Sequence, residues 1–405
     1  MAMRKMFTIF ATLLVVISCG TSGTARAERD DSPVAKTAER GAVEVGAADT
    51  AAYMPLLRDR RVAVLANHTA MFSAEEHIVD MFHREGINLV GIFSPEHGFR
   101  GRAEAGAAVA NSVDERTGVA ILSLYNGNTK RPTDDVMRSF DVLVVDMQDV
   151  GLRFYTYYIS MLRMVDACAD FGCEVIVLDR PNPNGHYVDG PILDMRYKSG
   201  VGWLPIPVVH GMTMGEIAQM AVGEGWAKRA DLKVIKCKNY DHNTHYVLPI
   251  APSPNLPTQH SIYLYPSTCL FEGTVVSMGR GTDSPFEVYG HPAMSGREFS
   301  YTPQPNAGSK TPPHCGKLCY GVDLRELPDE QIWREGLNLE YVIDAYRDLA
   351  MGDKFFTPMF EKLIGVDWVR TMINEGYSAA EIKARWAEDV ERFKQQRRKY
   401  LLYNE

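Results

Sequence analysis

The sequence predicts an α/β fold: a Rossmann-like, mainly parallel sheet domain followed by a smaller α+β auxiliary domain. Short apolar runs, such as residues 142–145 and 174–178, lack the alternation of a half-solvated strand, which indicates strands buried on both faces. Helical patterns, such as residues 155–171, separate these runs, as crossover connections require. A chain of 405 residues with 45% apolar content can bury a large core and is expected to form two domains.

The predicted elements alternate from residue 61 onwards. The predicted strands are residues 61–66, 88–93, 119–124, 142–145, 174–178, 206–209 and 232–236. The predicted helices are residues 73–84, 133–139, 155–171, 214–222 and, near the C-terminus, 379–401. Trp386, Val390 and Phe393 form an apolar stripe on the last helix, which indicates packing rather than function. We therefore expect a catalytic domain over residues 53–262 and an auxiliary domain over residues 263–405 that contributes to the cleft.

The first residues have the form of an export signal. A charged start is followed by a short apolar run (residues 7–17). The run leads into Ser18-Cys19, and Val16-Ile17-Ser18-Cys19 is typical of a bacterial lipoprotein signal over residues 1–18. Ala25-Arg26-Ala27 offers a competing cleavage site that would release a soluble protein. The sequence thus predicts an exported protein, either periplasmic or anchored to the membrane only through a lipid on Cys19. Residues 19–52 are rich in small and polar residues and predict a flexible tether.

Charge, motifs and cysteine spacing limit the partners and cofactors that we expect this protein to bind. The 43 basic and 51 acidic residues give a net charge of -8, which argues against a nucleic-acid partner. The first predicted strand runs into Ala-Asn-His-Thr-Ala (66–70), without the glycines of a dinucleotide site, so no cofactor is expected. The chain has six cysteines besides Cys19, and the sequence does not distinguish between disulfides and buried thiols for them. Their spacing does not favour zinc, and we predict no metal.

Polar side chains follow six of the predicted strands. Because the carboxyl ends of parallel strands meet at one edge of a sheet, these residues are expected to converge on one cleft. The strand-end candidates are Asn67, Glu96 with His97, Tyr125, Asp146, Arg180 and His210.

Glu96 is the leading catalytic candidate. It lies in Ser-Pro-Glu-His-Gly (94–98), directly after an apolar strand, where partial burial can raise the pKa of a carboxyl group towards that of a general acid. The alternative is a turn in which the carboxylate accepts hydrogen bonds from loop amides. His97 is a second catalytic candidate, with a purely structural role as its alternative.

The segment 146–157 combines carboxylates, an amide, a guanidinium and tyrosines, a mixture that can bind sugar hydroxyls, ring faces and an anionic substituent. Its candidates are Asp146, Gln148, Asp149, Arg153, Tyr155 and Tyr157. The alternatives are structural, since Asp149 can cap the next helix and Arg153 can pair with it. Asn182, in the rigid loop 179–185, is another substrate-binding candidate, with a well-formed turn as its alternative.

Six motifs resemble those of the NamZ-type exo-β-N-acetylmuramidase family, from about residue 53 to the C-terminus. They are residues 94–98, 145–157, 178–185, 253–257 (Ser-Pro-Asn-Leu-Pro), 271–274 (Phe-Glu-Gly-Thr) and 280–287 (Arg-Gly-Thr-Asp-Ser-Pro-Phe-Glu). The resemblance implies a peptidoglycan-recycling hydrolase that releases N-acetylmuramic acid from the non-reducing end of glycan fragments. It also implies a Rossmann-like N-terminal part, a C-terminal auxiliary part and a site in the cleft between them.

The family's proposed catalytic glutamate falls on Glu96. Glu272, Asp146 and Asp283 are the candidates for a second carboxylate that activates water or attacks the sugar. The motifs also supply further substrate-binding candidates, namely Asn255, Arg280, Asp283 and Glu287. The lactyl carboxylate of the sugar suits arginines near the cleft, here Arg153, Arg180 and Arg280. The alternative function is a lipid-anchored binding protein for cell-wall sugars without catalysis.

Overall fold

A computed structural model describes residues 41–95, 99–100, 112–122, 124 and 131–405, and ten strands in these residues form two separate sheets. The predicted signal segment and Cys19 lie outside the described residues. The larger sheet consists of β1 Val62–Ala66, β2 Leu89–Phe93, β3 Ser112–Val113, β4 Ala120–Leu122, β5 Val142–Asp146, β6 Glu174–Leu178 and β7 Asp231–Ile235. Its spatial order is β3-β4-β2-β1-β5-β6-β7, and every neighbouring pair is parallel except β3 with β4. The predicted mainly parallel sheet is confirmed.

Helices cover both faces of this sheet. They are α1 Thr50–Leu57, α2 Ile78–Arg84, α3 Asp134–Met137, α4 Tyr157–Phe171 and α5 Met214–Gly223. Helices α1 and α2 pack with Val64 and Val144 on one face, whereas α4 and α5 pack with Val145 and Val177 on the other. Successive strand residues therefore enter opposite cores, which explains why the strands are apolar throughout.

The predicted strand at residues 206–209 is wrong. Pro205 and Pro207 lack the amide donors that a central strand requires. The carbonyl of Ile206 instead accepts a hydrogen bond of 2.7 Å from the Arg153 side chain. Val209 forms only isolated bridges with two loop residues. The run is buried as a loop, so its apolar residues imitate a strand without joining the sheet.

The folded body begins before Tyr53, so the predicted tether extends too far. The Gly46 amide donates to the Asp179 carbonyl at 2.8 Å, and α1 follows at Thr50. A Cβ atom on Gly46 would lie 2.2 Å from the Ile235 carbonyl oxygen. The small residues of this segment, which suggested a linker, permit a close approach to the ends of β6 and β7.

The C-terminal part has its own small antiparallel sheet and six helices among the described residues. The strands are β8 Val288–His291, β9 Phe299–Tyr301 and β10 Cys319–Asp323, in the order β8-β10-β9. The helices are α6 Gln259–Thr268, α7 Asp329–Glu335, α8 Glu340–Leu349, α9 Met359–Ile364, α10 Trp368–Asn374 and α11 Ala379–Arg397. In the described part of the chain, no helix combines the length and apolarity that a bilayer crossing requires.

Helix α11 is built as its sequence predicts, although it ends earlier. Ser378 and Glu381 form a capping box at its start. The predicted stripe of Trp386, Val390 and Phe393 is buried. A 3₁₀ turn replaces the predicted last turn of the helix.

The last residues pack against the end of β6. The Tyr403 hydroxyl donates to Asp179 Oδ2 at 2.7 Å, and the Leu402 amide donates to Glu216 Oε1 at 2.7 Å. Asp179 also binds Gly46 through its carbonyl. One aspartate thus contacts both the first and the last segments of the described body.

The cysteines from Cys168 onwards are all free thiols in the described structure. Cys168 and Cys173 are buried at the end of α4 and the start of β6, and Cys315 is exposed. The structure therefore supports the buried-thiol interpretation for Cys168 and Cys173, and it contains no bridge between Cys315 and Cys319.

Candidate active site

A buried ion pair lies at the carboxyl edge of the sheet. Asp146 ends β5 and Arg180 follows β6. The Arg180 guanidinium donates to Asp146 through Nε to Oδ1 at 2.5 Å and through Nη2 to Oδ2 at 3.0 Å. Nη2 also donates to the Met71 carbonyl at 3.0 Å. Both oxygens of this fully buried carboxylate therefore accept hydrogen bonds from Arg180. Asp146 is thus better suited to a structural role than to attack on a substrate.

A second group of polar side chains ties neighbouring strand-end loops together. Asn67 Oδ1 accepts hydrogen bonds from the Thr69 amide at 3.0 Å and the Thr69 hydroxyl at 2.6 Å. The Thr69 hydroxyl accepts from the Gln148 amide at 3.0 Å. Gln148 Nε2 in turn donates to the Pro181 carbonyl at 2.7 Å. Asn67 and Gln148 thus come together at the predicted edge, where their contacts hold the loops in register.

Asp149 is a buried carboxyl group with one oxygen unused. Its Oδ1 accepts a hydrogen bond of 2.7 Å from the Gly151 amide, while Oδ2 is buried without a partner among the described residues. Burial raises the pKa of Asp149 to about 7, and the amides of Gly151 and Val150 only partly oppose this shift. Asp149 does not pair with Arg153 and does not line the cavity described below.

Asn182 and His210 form hydrogen bonds with the backbone of loops that follow the strands. Asn182 Nδ2 donates to the Met212 carbonyl at 2.9 Å, and Oδ1 accepts from the Asn184 amide at 2.8 Å. His210 Nδ1 accepts from the Met212 amide at 3.2 Å. Burial, assisted by the charges of nearby arginines, lowers the pKa of His210 to about 3, so its ring is neutral at ordinary pH. The alternative of a well-formed turn accounts for Asn182.

Arg153 does not face a cleft, contrary to its assignment as a substrate-binding residue. The side chain is fully buried, and its two terminal nitrogens donate to four backbone carbonyls at 2.7 to 3.0 Å. These carbonyls belong to Pro191, Ile206, Leu363 and Ile364. The last two end α9, where unpaired carbonyls and the helix dipole favour a cation. Arg153 therefore joins the C-terminal part to the loops of the larger sheet.

A cavity of about 290 Å³ lies between loops of the N-terminal part and the first segments of the C-terminal part. Three tyrosines and Phe286 form much of its wall. The hydroxyls of Tyr155 and Tyr157 donate to the Pro252 carbonyl at 2.9 and 3.3 Å, which fixes both rings. Tyr265 meets Phe286 edge to face at 4.8 Å. Such a wall offers ring faces and polar edges to a sugar.

A second ion pair lines this cavity. Arg280 donates to Glu272 Oε1 through Nε at 2.9 Å and through Nη2 at 2.6 Å. The side chains are 24% and 29% exposed, so both reach the cavity. Burial disfavours the charge of Arg280, but Glu272 outweighs it and raises the pKa of the guanidinium. The Arg280 carbon Cζ lies 5.2 Å from the centre of the Phe286 ring.

The other C-terminal candidates differ in position. Asn255 borders the cavity, and its Nδ2 donates to the Gly308 carbonyl at 2.8 Å. Glu287 is buried and accepts a hydrogen bond from the Thr258 hydroxyl. Asp283 is exposed, and neither acid is part of the cavity lining. The structure therefore brings together Tyr155, Tyr157, Asn255, Glu272 and Arg280, but not Asp283 or Glu287.

Glu96, His97 and Tyr125 lie outside the described residues. The flanks of the Glu96 segment are described. Ser94 is buried just after β2, and Phe99 packs edge to face on His77 at 4.8 Å. Arg100 donates to the carboxylates of Asp80 and Asp114 at 2.9 to 3.1 Å. Ser94 thus lies at the carboxyl end of β2, and the residues after the segment are held by Phe99 packing and by the Arg100 ion pairs.

Two family models match nearly all of the described body. Residues 62–260 match the model described as exo-beta-N-acetylmuramidase NamZ, N-terminal. Residues 263–403 match exo-beta-N-acetylmuramidase NamZ, C-terminal. The chain belongs to the NamZ family. The resemblance carried by the six motifs is thereby confirmed, and the protein is a glycosidase by family.

One curated protein and two solved structures match the chain over most of its length. Peptidoglycan beta-N-acetylmuramidase NamZ of Bacillus subtilis (strain 168) is 39% identical over 422 residues, covering 99% of this chain and 100% of that protein. The crystal structure of a DUF1343 family protein of Bacteroides fragilis has a TM-score of 0.85 at 57% identity, covering 90% of this chain and 100% of the other. A second such structure from the same species gives 0.76 at 26% identity, covering 89% and 99%. These structures confirm the fold class.

Some cavity residues of this NamZ family member were not predicted. Tyr265 and Phe286 line the cavity, yet neither was a candidate. Phe286 lies inside the motif 280–287, which was the available signal. Tyr265 lies in α6, a helix that the sequence pattern did not mark. Across the described residues, no group of three or more His, Cys, Asp or Glu side chains is arranged to hold a metal ion.

Proposed function

We propose that this protein is an exo-acting hydrolase that releases N-acetylmuramic acid from the non-reducing end of peptidoglycan fragments. The observation that carries the proposal is the match to the Bacillus subtilis peptidoglycan beta-N-acetylmuramidase, which extends over the full length of that relative at 39% identity. The match covers 99% of this chain, so it spans both parts that contribute residues to the cavity. The substrate class of the relative is therefore the first one to test here.

The cavity supports an enzyme that acts on the end of a glycan chain. Its volume of about 290 Å³ is at the small end of ligand sites, which commonly measure about 300–1,000 Å³. Its wall combines aromatic rings with the Glu272–Arg280 pair. A small pocket of this composition suits one terminal sugar with an acidic substituent better than the middle of a long strand.

The proposed reaction is hydrolysis of the glycosidic bond with two acid–base groups. Glu96 donates a proton to the glycosidic oxygen as the bond to the anomeric carbon breaks. Water supplies the hydroxyl group that ends on the anomeric carbon, and its proton passes to the second carboxylate. If that carboxylate first attacks the sugar, water hydrolyses the resulting ester in a second step.

Glu272 is our choice for the second carboxylate. It lines the cavity, and Arg280 binds only its Oε1. Its Oε2 has no hydrogen-bond partner among the described residues. Asp146 has both oxygens bound by Arg180, and Asp283 is outside the cavity lining. The position of Glu272 beside the tyrosines supports this choice over the other two.

The decisive experiment measures release of N-acetylmuramic acid from its β-linked disaccharide with N-acetylglucosamine, whose leaving oxygen must be protonated. Replacing Glu96→Gln removes the proton donor while preserving shape, so kcat is expected to fall by about 10²–10⁴-fold, as for loss of a general acid. Glu272→Gln is expected to lower kcat as well, with substrate still bound. Asp283→Asn serves as the control, and it should leave kcat within about threefold because Asp283 is exposed outside the cavity.

A folded wild-type protein that binds the sugar without turnover would overturn the enzymatic proposal. That result would instead fit the binding protein considered above, which the family match does not favour. Full activity of Glu96→Gln would exclude Glu96 as the general acid, and hydrolysis would then need another donor.

We also propose that the protein is exported, with a lipid on Cys19 or cleavage after Ala27. The proposal is supported by the charged start, the apolar run and the small residues before the cysteine. Mass spectrometry of the mature N-terminus distinguishes the outcomes. A diacylated cysteine is expected, free Glu28 would indicate soluble release, and an intact Met1 in all molecules would contradict export.

A further inference from the structure

Three arginines were predicted to bind the acidic substituent of the sugar, and the guanidinium groups of two of them already donate hydrogen bonds to other protein groups. Arg153 donates to four carbonyls and is completely buried. Arg180 uses its Nε and Nη2 on Asp146 and Met71 and is also buried. In Arg180 the Met71 carbonyl occupies Nη2, so a substrate carboxylate could bind either guanidinium through two parallel N–H groups only by breaking a buried charge-assisted hydrogen bond.

Arg280 is different because only one edge of its guanidinium is used. Nε and Nη2 both donate to Glu272 Oε1, while Nη1 has no hydrogen-bond partner among the described residues. A guanidinium binds a carboxylate through two parallel N–H groups, so the Nη1/Nη2 edge remains available for a second one. Glu272 accepts hydrogen bonds from the Nε/Nη2 edge of the guanidinium and thereby orients the Nη1/Nη2 edge.

The surroundings of Arg280 favour binding of an anion at that edge. Arg280 is the only basic residue among the described residues that line the cavity. Its guanidinium lies over Phe286, and Tyr265 packs against the same ring. Aromatic walls exclude water and leave the charge poorly solvated, which strengthens a charge-assisted hydrogen bond. The unused edge, the single basic residue and the aromatic wall all favour binding of one carboxylate.

We propose that the Nη1/Nη2 edge of Arg280 binds the lactyl carboxylate of N-acetylmuramic acid and sets the preference for this sugar over N-acetylglucosamine. The inference rests on the proposed function and specifies a residue for its substrate. N-acetylglucosamine has a hydroxyl group where the lactyl ether stands, so it offers this edge no negative charge. Discrimination then comes from one charge-assisted contact rather than from the size of the pocket.

The test compares a chromogenic β-N-acetylmuramide with its neutral lactyl methylamide, using wild type, Arg280→Met and Arg280→Lys. Loss of one charge-assisted contact predicts that wild type prefers the acid by about 10- to 100-fold in kcat/KM. In Arg280→Met the ratio of acid to amide should fall to about 1, and Arg280→Lys should restore part of it. Arg325→Met, which removes a half-exposed arginine from the same part of the chain, should keep the wild-type ratio.

An equal loss on both substrates in Arg280→Met would overturn the proposal, since Arg280 would then act only by positioning Glu272. A wild type that hydrolyses neither substrate would refute the proposed function separately. Calorimetric titration with free N-acetylmuramic acid and N-acetylglucosamine tests the contact without turnover. Wild type should bind the acidic sugar more tightly and Arg280→Met should bind both alike. An unchanged preference in a folded Arg280→Met protein would refute the assignment.

Discussion

Replacing Arg153→Met is expected to lower the free energy of unfolding by about 4 kcal/mol or more, which is exceptional for one substitution. The methionine fills much of the space but donates no hydrogen bond. Four buried carbonyls lose the contact that Arg153 supplies. The Ile206 carbonyl keeps the Leu193 amide at 3.2 Å, whereas those of Pro191, Leu363 and Ile364 depend on Arg153. An unsatisfied buried carbonyl costs about 1–3 kcal/mol, and the relief from burying a charge offsets only part of the total.

Chemical denaturation followed by far-UV circular dichroism measures this loss. Arg138→Met is the matched control, because the Arg138 side chain is 63% exposed and its change should stay within about 0.5 kcal/mol. Arg153→Lys should fall between the two, since one ammonium group cannot serve four carbonyls. A loss below about 1.5 kcal/mol for Arg153→Met would mean that water enters and replaces the donors.

Replacing Asp149→Asn is expected to change how stability depends on pH. Burial raises the pKa of Asp149 to about 7 in the folded protein, against 3.8 as the ordinary value. Between these values the folded protein holds a proton that the unfolded chain has released. The stabilisation from the neutral carboxyl is therefore complete below the unfolded value and is lost as pH rises through about 7.

Asparagine keeps the acceptor for Gly151 and cannot ionise. From pH 5 to pH 8, wild type should lose about 2–3 kcal/mol of unfolding free energy relative to Asp149→Asn. Urea denaturation at the two pH values measures the difference. Asp135→Asn removes a fully exposed carboxylate and controls for the change in net charge. A difference between wild type and Asp149→Asn that stays constant from pH 5 to pH 8 would refute the buried neutral carboxyl.

The sequence predicted the sheet well because burial on both faces leaves a simple pattern. Strands β1, β5 and β6 are buried at every residue, and uninterrupted apolar runs marked each of them. The same rule failed at residues 206–209, where a buried loop is equally apolar. There the prolines were the better guide, since they remove the amides that a strand must use.

The site was harder to predict because residue type does not show what a side chain already binds. Arg153 and Arg280 are the same residue type, and each lies in one of the six motifs, yet one donates to four carbonyls and the other keeps an edge free. His210 follows a loop rather than a strand and is neutral in the core. Glu96 was found by its place after β2 and by the family resemblance, and its role stays a prediction.

The contacts of Asp179 also constrain the order in which the chain completes its fold. Its carbonyl accepts a hydrogen bond from Gly46 and its carboxylate accepts one from Tyr403, so one residue joins segments that lie far apart in the sequence. Contacts of such long sequence separation form late and slow the folding reaction. A growing chain therefore lacks these contacts at the ends of β6 and β7 until the segment that contains Tyr403 has been synthesised, and this part of the fold can be completed only after that point.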